Sequence, residues 1–388
     1  MEYRGRMIIE LVAVFQLIWL VSLIDGACFP ALYNFGDSTS DSGGIHSTFP
    51  RQTPAEFPPY GETYPGRPTA KYSDGRLLID FLCEAIGLPF LSSAMSSVDS
   101  DYHHGANFAT AGATVQPVTY LSPFPLPIQY LQFLKFKQDV IALRSDPKTK
   151  PSLLKRIPTI DSFSKGLYMI GMAGNDFTFG YTKGETIEEV KGYLPNVAGG
   201  LAQAVRVLYS AGARYLILHD VEPHGCLPYM LTLAHLAETK PEMDEYGCMP
   251  AYNEAAIWFN DQIKIHLNAL RKELPELHLH FLSTYDIKLE LARNVSAYGF
   301  ESYTRACCGV PSAFNYNLQV NCGKSKVINN VTLTAVKCKD PNKYFVWDGV
   351  HNTDHGNRYV VEKLLTGKYF DIPFPELTET CTLNTLSK

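Results

Sequence analysis

Four short apolar runs punctuate the chain, over residues 31–35, 166–171, 214–219 and 278–283. Between them lie longer stretches whose apolar positions recur every three or four residues, over 76–86, 128–143, 192–211, 252–274 and 355–365. A short uncharged run suits a strand buried on both faces of a parallel sheet, and the 3.6-residue period suits helices that cover such a sheet. The fourth run alternates polar and apolar positions and is expected to be a strand as well. Strands alternating with helices predict an α/β architecture with a mostly parallel central sheet covered on both sides. No internal repeat interrupts the rhythm.

The connecting stretches add detail. Ser73-Asp74-Gly75 is expected to cap the helix over 76–86, which Gly87 and Pro89 end. Residues 48–72, rich in Pro, Gly and Tyr, predict a surface loop that walls a site. The small residues Gly105-Ala-Asn-Phe-Ala-Thr-Ala-Gly-Ala113 let backbone approach a ligand closely.

The most abrupt break is at the end of the first run, where Leu32-Tyr-Asn-Phe35 gives way to Gly36-Asp37-Ser38. This predicts a buried strand ending in a sharp turn, with Ser38 at the strand's carboxyl end, the edge at which open α/β sheets bind ligands. A helix starting just after would aim free backbone N–H groups at a developing negative charge. Near the other end of the chain, Trp347-Asp348-Gly-Val-His351 places a carboxylate three residues before an imidazole. Neighbours on one helical turn in this spacing, Asp348 holds one ring nitrogen of His351 while the other faces Ser38, giving nucleophile, base and orienter in the order Ser, Asp, His. Among the eleven histidines, His351 alone sits on a turn with an upstream Asp after an apolar segment. His355 reads as a surface residue at a helix start. His103, His104, His219 and His224 are candidates to line the cleft, each more often structural.

Composition changes the picture in two ways. With 388 residues, 46% hydrophobic and 19% charged, the chain can bury a large core, and residues 27–388 are expected to form one domain. A formal charge of -5 without a Lys/Arg cluster sets nucleic acid aside as a partner. Arg4 and Arg6, an apolar run over 11–24 and Asp25-Gly-Ala-Cys28 have the layout of a secretory signal peptide over 1–26, cleaved near Gly26. That run is short for a bilayer, and no second one follows, so no stable membrane span is expected after cleavage and the protein is expected to be secreted; an uncleaved anchor, for which Glu10 beside the run speaks, and retention earlier in the secretory route are the alternatives. Nine cysteines agree with export: Cys83, on an apolar helical face, is expected to stay free and buried, and the other eight to form four disulfides, Cys226 with Cys248 by proximity. The remaining connectivity stays open. Zinc bound by Cys307, Cys308, Cys322 and Cys338 is the competing reading, disfavoured because adjacent cysteines chelate poorly. Asn294-Val-Ser296 and Asn330-Val-Thr332 are glycosylation sequons.

Four separated blocks now carry a resemblance: Phe35-Gly-Asp-Ser-Thr-Ser-Asp-Ser-Gly43, Gly105-Ala-Asn-Phe-Ala-Thr-Ala-Gly112, Gly174-Asn-Asp176 and Asp348-Gly-Val-His351. With Gly225-Cys-Leu-Pro228 and Cys307-Cys-Gly309 they span the mature chain. The sequence resembles plant-type GDSL esterase/lipases of the SGNH hydrolase superfamily, and Pro59-Tyr-Gly-Glu-Thr63 with His104-Gly-Ala-Asn-Phe-Ala-Thr110 is similar to the early-nodulin and acetylesterase-like branch. The resemblance implies a three-layer α/β/α flavodoxin-like fold and a serine esterase needing no cofactor or metal. It also implies that Ser38 is the nucleophile, His351 the base and Asp348 its orienter, with an oxyanion hole made by the backbone N–H of Ser38 and of Gly112 and the side-chain amide of Asn175. Thr39, Gly44 and Asn352 depart from the family's usual residues and bear on the acyl pocket. The branch implies an ester substrate with a short acyl group such as acetyl on a glycan or glycosylated metabolite. An acyltransferase using the same serine and a non-catalytic carbohydrate-binding or storage protein are the alternatives. Glycosidase action would need two flanking carboxylates, and no such pair is identifiable.

Overall fold

The computed structural model describes residues 28–50, 53–117, 122–236 and 240–387. The expected signal peptide, residues 1–26, lies outside them.

Five strands make the central sheet: β1 Leu32–Gly36, β2 Gly105–Asn107, β3 Leu167–Gly171, β4 Tyr215–His219 and β5 His278–Leu282. They are parallel throughout, in the order β2-β1-β3-β4-β5. That is the flavodoxin-like order, which reverses direction between β1 and β3 and opens a crevice at their carboxyl ends. The four apolar runs became β1, β3, β4 and β5. β2 is the exception: Gly105-Ala-Asn107 lacks an apolar run and is a strand because Leu32, Tyr33 and Asn34 pair with it in register.

The helices of the outer layers include α1 Leu78–Ala85, α2 Leu126–Ser145, α3 Gly174–Thr182, α4 Ile187–Ser210, α5 Pro250–Glu273, α6 Thr284–Arg293 and α7 Asp354–Leu364. Side chains alternate between the faces of a strand. On one face Tyr33, Phe35, Tyr168, Ile170, Leu216 and Leu218 join a core with Phe133 of α2, Leu201 and Val205 of α4 and Phe259 of α5. On the other, Leu32, Leu167, Met169 and Ile217 meet Leu82 of α1, Ile287 and Leu291 of α6 and Val360 of α7. Burial of both faces is why the strands are mostly apolar; the exceptions include the buried polar residues Asn34, Asn107 and His280.

The cap assigned to α1 belongs elsewhere. α1 is started by Asp80, whose carboxylate takes the N–H of Leu77 at 2.8 Å. Asp74 instead accepts from the N–H of Asp354 at 2.7 Å and so holds the start of α7, while Arg76 grips the Asp354 carboxylate through Nε at 3.0 Å and Nη2 at 2.9 Å. A cap chosen by proximity in sequence lost to a partner 280 residues away.

All eight expected half-cystines are paired, as Cys28–Cys381, Cys226–Cys248, Cys307–Cys338 and Cys308–Cys322, and Cys83 is free and buried. The last two pairs crosslink an excursion carrying β6 Cys308–Gly309, the hairpin β7 Ser325–Ile328 with β8 Val331–Thr334, and β9 Val336–Lys337. Among the described residues, no helix is long and apolar enough to cross a membrane.

Candidate active site

β1 delivers Ser38 to the crevice. A Cβ on Gly36 would lie 2.4 Å from Ser40 Oγ and 2.8 Å from the carbonyl oxygen of Gly171, so only glycine lets β1 end this close to β3. Both backbone groups of Gly36 are held by one buried side chain from α2: Gln129 Oε1 accepts from its N–H at 3.0 Å and Gln129 Nε2 donates to its carbonyl at 2.8 Å. Ser38 then sits in a turn closed by the N–H of Ser40 donating to the carbonyl of Asp37, while the Asp37 carboxylate takes the N–H and hydroxyl of Thr39. No helix begins directly after Ser38, contrary to the expectation. The next helical segment is the five residues Gly44–Thr48, and Asp41 accepts from its leading N–H groups at Gly43 and Ile45 and also from Ala111 at 2.7 Å. Side-chain carboxylates thus take up N–H groups that an immediate helix would have left free.

His351 and Asp348 come from the loop before α7. Their spacing was legible, but the local structure is a tight turn and not a helical one. The N–H of Trp347 donates to the carbonyl of His351 at 2.6 Å, and Asp348 Oδ1 accepts from the N–H of Val350 at 3.3 Å and of His351 at 3.1 Å. Gly349 closes the turn at φ +102°, where a Cβ would strike the Tyr316 ring at 2.4 Å. This brings His351 Nδ1 to 2.8 Å from both Asp348 oxygens and His351 Nε2 to 2.7 Å from Ser38 Oγ. The three side chains form one continuous hydrogen-bonded line.

Their electrostatics are mutually adjusted. Burial works to raise the Asp348 carboxyl, but the charge and hydrogen bond of His351, with the Tyr60 hydroxyl, outweigh it and hold the carboxyl below its ordinary range. Burial likewise works to lower His351, and the Asp348 charge and hydrogen bond overcome it, helped by Asp37 and Glu222, so the imidazole is more basic than usual.

Gly112 and Asn175 lie next to each other. Asn175 is the second residue of α3, which follows β3, and its Nδ2 donates to the carbonyl of Ala113 at 2.9 Å. An amide NH2 carries two hydrogens, so this bond orients the group and leaves the other hydrogen to donate. Asp176 fastens the same loop through the N–H of Val115 at 3.0 Å and of Gln116 at 3.4 Å, and the Tyr193 hydroxyl donates to its backbone carbonyl. Two consecutive residues after β3 therefore clamp the loop after β2 across the end of β1.

The other histidines divide. His219 and His224 line a cavity beside the Ser38 turn with Asp37, Glu222 and Lys288, the last two forming an ion pair. His103 and His104 lie apart, the latter tied to the carbonyl of Pro30 at 3.0 Å, and His355 packs its ring on Phe300 at 4.9 Å. Asn294 is exposed at the end of α6, and Asn330 is exposed at the β7–β8 turn. Sequence reasoning missed Gln129, Asp41 and Tyr60. The Tyr60 hydroxyl donates to Asp348 Oδ2 at 2.7 Å, and its only signal was the Pro59-Tyr60-Gly61 segment of the loop expected to wall the site.

The family model of the GDSL-like lipase/acylhydrolases matches residues 32–364. Among similar chains, the GDSL esterase/lipase ENOD8 of Medicago truncatula is 38% identical over 351 residues, covering 89% of this chain and 88% of the relative. An esterase of Hevea brasiliensis is 36% identical over 382 residues, 96% of this chain and 95% of the other. Alpha-L-fucosidase 3 of Arabidopsis thaliana is 36% identical over 346 residues, 87% and 91% of the two chains. Among solved structures, the extracellular lipase of Streptomyces rimosus aligns with 86% of this chain and 98% of its own at 14% identity, with a TM-score of 0.32. The family match takes in every strand of the sheet and the two ends that carry Ser38 and His351, so the chain belongs to the GDSL-like lipase/acylhydrolases and is a serine ester hydrolase.

Proposed function

We propose that Ser38 is the nucleophile of this hydrolase, His351 its general base and Asp348 the group that orients the base. The observation that carries this is the line Ser38 Oγ, His351 Nε2, His351 Nδ1, Asp348 with links of 2.7 and 2.8 Å. Ser38 Oγ attacks the ester carbonyl as its proton passes to His351 Nε2. The tetrahedral oxyanion is held by the N–H of Ser38, the N–H of Gly112 and the free hydrogen of Asn175 Nδ2. Its collapse expels the alcohol, which takes the proton back from His351. Water, deprotonated by the same nitrogen, then attacks the acyl-enzyme and releases the carboxylate.

The substrate of this reading is a short acyl ester, acetyl above all, on a glycan or glycosylated metabolite, met by a secreted single-domain enzyme of residues 27–388. Support comes from the branch-like motifs around Tyr60 and Asn107 and from tyrosines beside the catalytic turn: Tyr72 faces the His351 ring at 4.8 Å, and Tyr229 and Tyr316 meet at 5.8 Å next to Gly349. Four disulfides and two exposed sequons fit an exported protein. Glycoside cleavage, the activity in the name of one relative, draws no support from the site, because the Asp348 carboxylate is already taken by His351 and Tyr60.

The test is covalent labelling with a fluorophosphonate, followed by hydrolysis of esters of graded acyl length and of acetylated polysaccharides. Label is expected on Ser38 and lost in Ser38→Ala. Label that persists in Ser38→Ala refutes the assignment, and faster turnover of long acyl chains than of acetyl refutes the substrate.

A further inference from the structure

We propose that Tyr60 is a positioning residue of the Ser38–His351–Asp348 line, its phenolic O–H setting how strongly the Asp348 carboxylate pulls on the imidazole. The inference rests on the site assignment above. Tyr60 is 1% exposed and comes from the Pro-rich loop, 288 residues before Asp348. Its ring is wedged edge-on between Trp347 at 5.9 Å and Tyr72 at 6.3 Å, the first adjoining Asp348 and the second facing the His351 ring. Gly61, at φ +72° with its N–H on the carbonyl of Ser73, turns the chain sharply behind it. The hydroxyl is therefore delivered to Asp348 by a fixed ring and a fixed loop.

What it does there follows from counting donors. Asp348 Oδ1 takes two backbone N–H groups of its own turn, and His351 Nδ1 lies 2.8 Å from either oxygen. Tyr60 supplies the other side-chain donor, on Oδ2 at 2.7 Å, in a charge-assisted O–H···O⁻ bond. Every donor to a carboxylate draws charge toward itself, so the Tyr60 hydroxyl leaves less for the proton on His351 Nδ1. It moderates the attraction that makes His351 more basic than usual and keeps a larger share of the imidazole neutral, the form that can accept the serine proton. The remaining groups facing the imidazole are Asp37 at the end of β1, Glu222 paired with Lys288 of α6, the Tyr72 ring and, beside the turn, Tyr316. None of them is altered when Tyr60 loses its oxygen.

The prediction has a definite sign. In Tyr60→Phe the carboxylate charge concentrates on the imidazole, His351 stays protonated to higher pH, and the acid limb of Ser38 reactivity moves up by about half a pH unit. With 3-fluorotyrosine at position 60, a stronger donor, the limb moves down. The readout is the second-order rate of fluorophosphonate labelling of Ser38 against pH on the folded enzyme, which needs no known substrate, with thermal melting alongside. A purely structural hydroxyl would lower the melting temperature and leave the midpoint of the limb in place, and that result overturns the proposal. The fluorinated protein keeps the test valid if the phenylalanine variant folds poorly. Opposite shifts in the two proteins support the role. Absence of label on Ser38 in the unaltered enzyme overturns the site assignment and this inference together, whereas labelling with coincident midpoints overturns this inference alone.

Discussion

Asn175→Ala separates two jobs of one side chain, the loop tie seen in the structure and the oxyanion contact proposed for it. Asn175 Nδ2 donates one hydrogen to the Ala113 carbonyl at 2.9 Å, which is ground-state structure present in the free enzyme. In the proposed mechanism the other hydrogen has its use when the ester oxygen acquires charge. Losing the first should cost about 1 kcal/mol of stability, the net worth of an ordinary hydrogen bond. Losing the second should cost about 2.7 to 4 kcal/mol of transition-state stabilisation, on the order of a hundredfold to a thousandfold in kcat, with KM little changed because the ground-state carbonyl is a weak acceptor. The assay is steady-state hydrolysis of a soluble short-chain ester, paired with a denaturant titration of the same preparation. Because Asp176 still clamps the loop through Val115 and Gln116, the variant should remain folded and the kinetic loss should exceed the stability loss. A folded Asn175→Ala enzyme with unchanged kcat and lowered stability would refute the oxyanion role and leave Asn175 as a loop tie.

Two further outcomes follow from neighbouring residues. Burial, working against the backbone donors of Val115 and Gln116, pushes the Asp176 carboxyl up to about 7. Since the folded value lies above the unfolded one near 4, its contribution is complete below about pH 4 and is lost as pH rises toward 7, with a slope of at most about 1.4 kcal/mol per unit. Asp176→Asn should flatten that part of the curve of unfolding free energy against pH, and an unaltered slope would show that Asp176 is ionised throughout. Separately, replacing Cys307 and Cys338 by Ser opens a crosslink of 31 residues, which the chain-entropy relation values at about 3 to 4 kcal/mol. Because the N–H groups of Cys307 and Cys308 donate to the carbonyls of Val346 and Trp347, immediately before Asp348, fluorophosphonate labelling should slow well below the melting temperature. Labelling at the native rate would show that the crosslink does not support the catalytic turn.

Most of the architecture is legible because burial on both faces keeps β1, β3 and β4 largely apolar, so that composition marks them, while β5 shows in the alternation of His278, Leu279, His280 and Phe281. β2 escapes that logic. It is three residues at the edge of the sheet, two of them glycine and asparagine, and pairing with Leu32 to Asn34 makes it a strand. The same limit applies to caps and turns. Asp74 has the right chemistry for a helix start, but which helix it serves is decided by the fold, and Asp348 to His351 has a helical spacing that Gly349 turns into a loop. Spacing reports which groups are near in sequence, and the three-dimensional path decides how they meet.

The site illustrates why the groups proposed to react are more visible in sequence than those that hold them. Ser38, Asn175 and His351 each follow a distinctive local break: the end of β1, the end of β3 and the turn before α7. Their supports carry no such break, and even where they lie in the quoted motifs, as Asp41, Asn107 and Tyr60 do, nothing local names their partners. Gln129 is one polar side chain within α2, yet it holds both backbone groups of Gly36 from 93 residues away. Asp41 spans from the segment after Ser38 to Ala111, beside Gly112, and Asn107 reaches back from β2 to the carbonyl of Ser40 at 2.6 Å. Tyr60 reaches Asp348 across 288 residues of sequence. These bonds tie α2 to the end of β1, the segment after β1 to β2 and the loop beyond it, and the Pro-rich loop to the turn before α7. The crevice at the reversal of strand order therefore requires such ties, because the sheet itself fixes the strands and leaves the loops beyond them free. Precision in the Ser38–His351–Asp348 line is supplied from outside it, by buried polar side chains whose partners only the folded chain brings within reach.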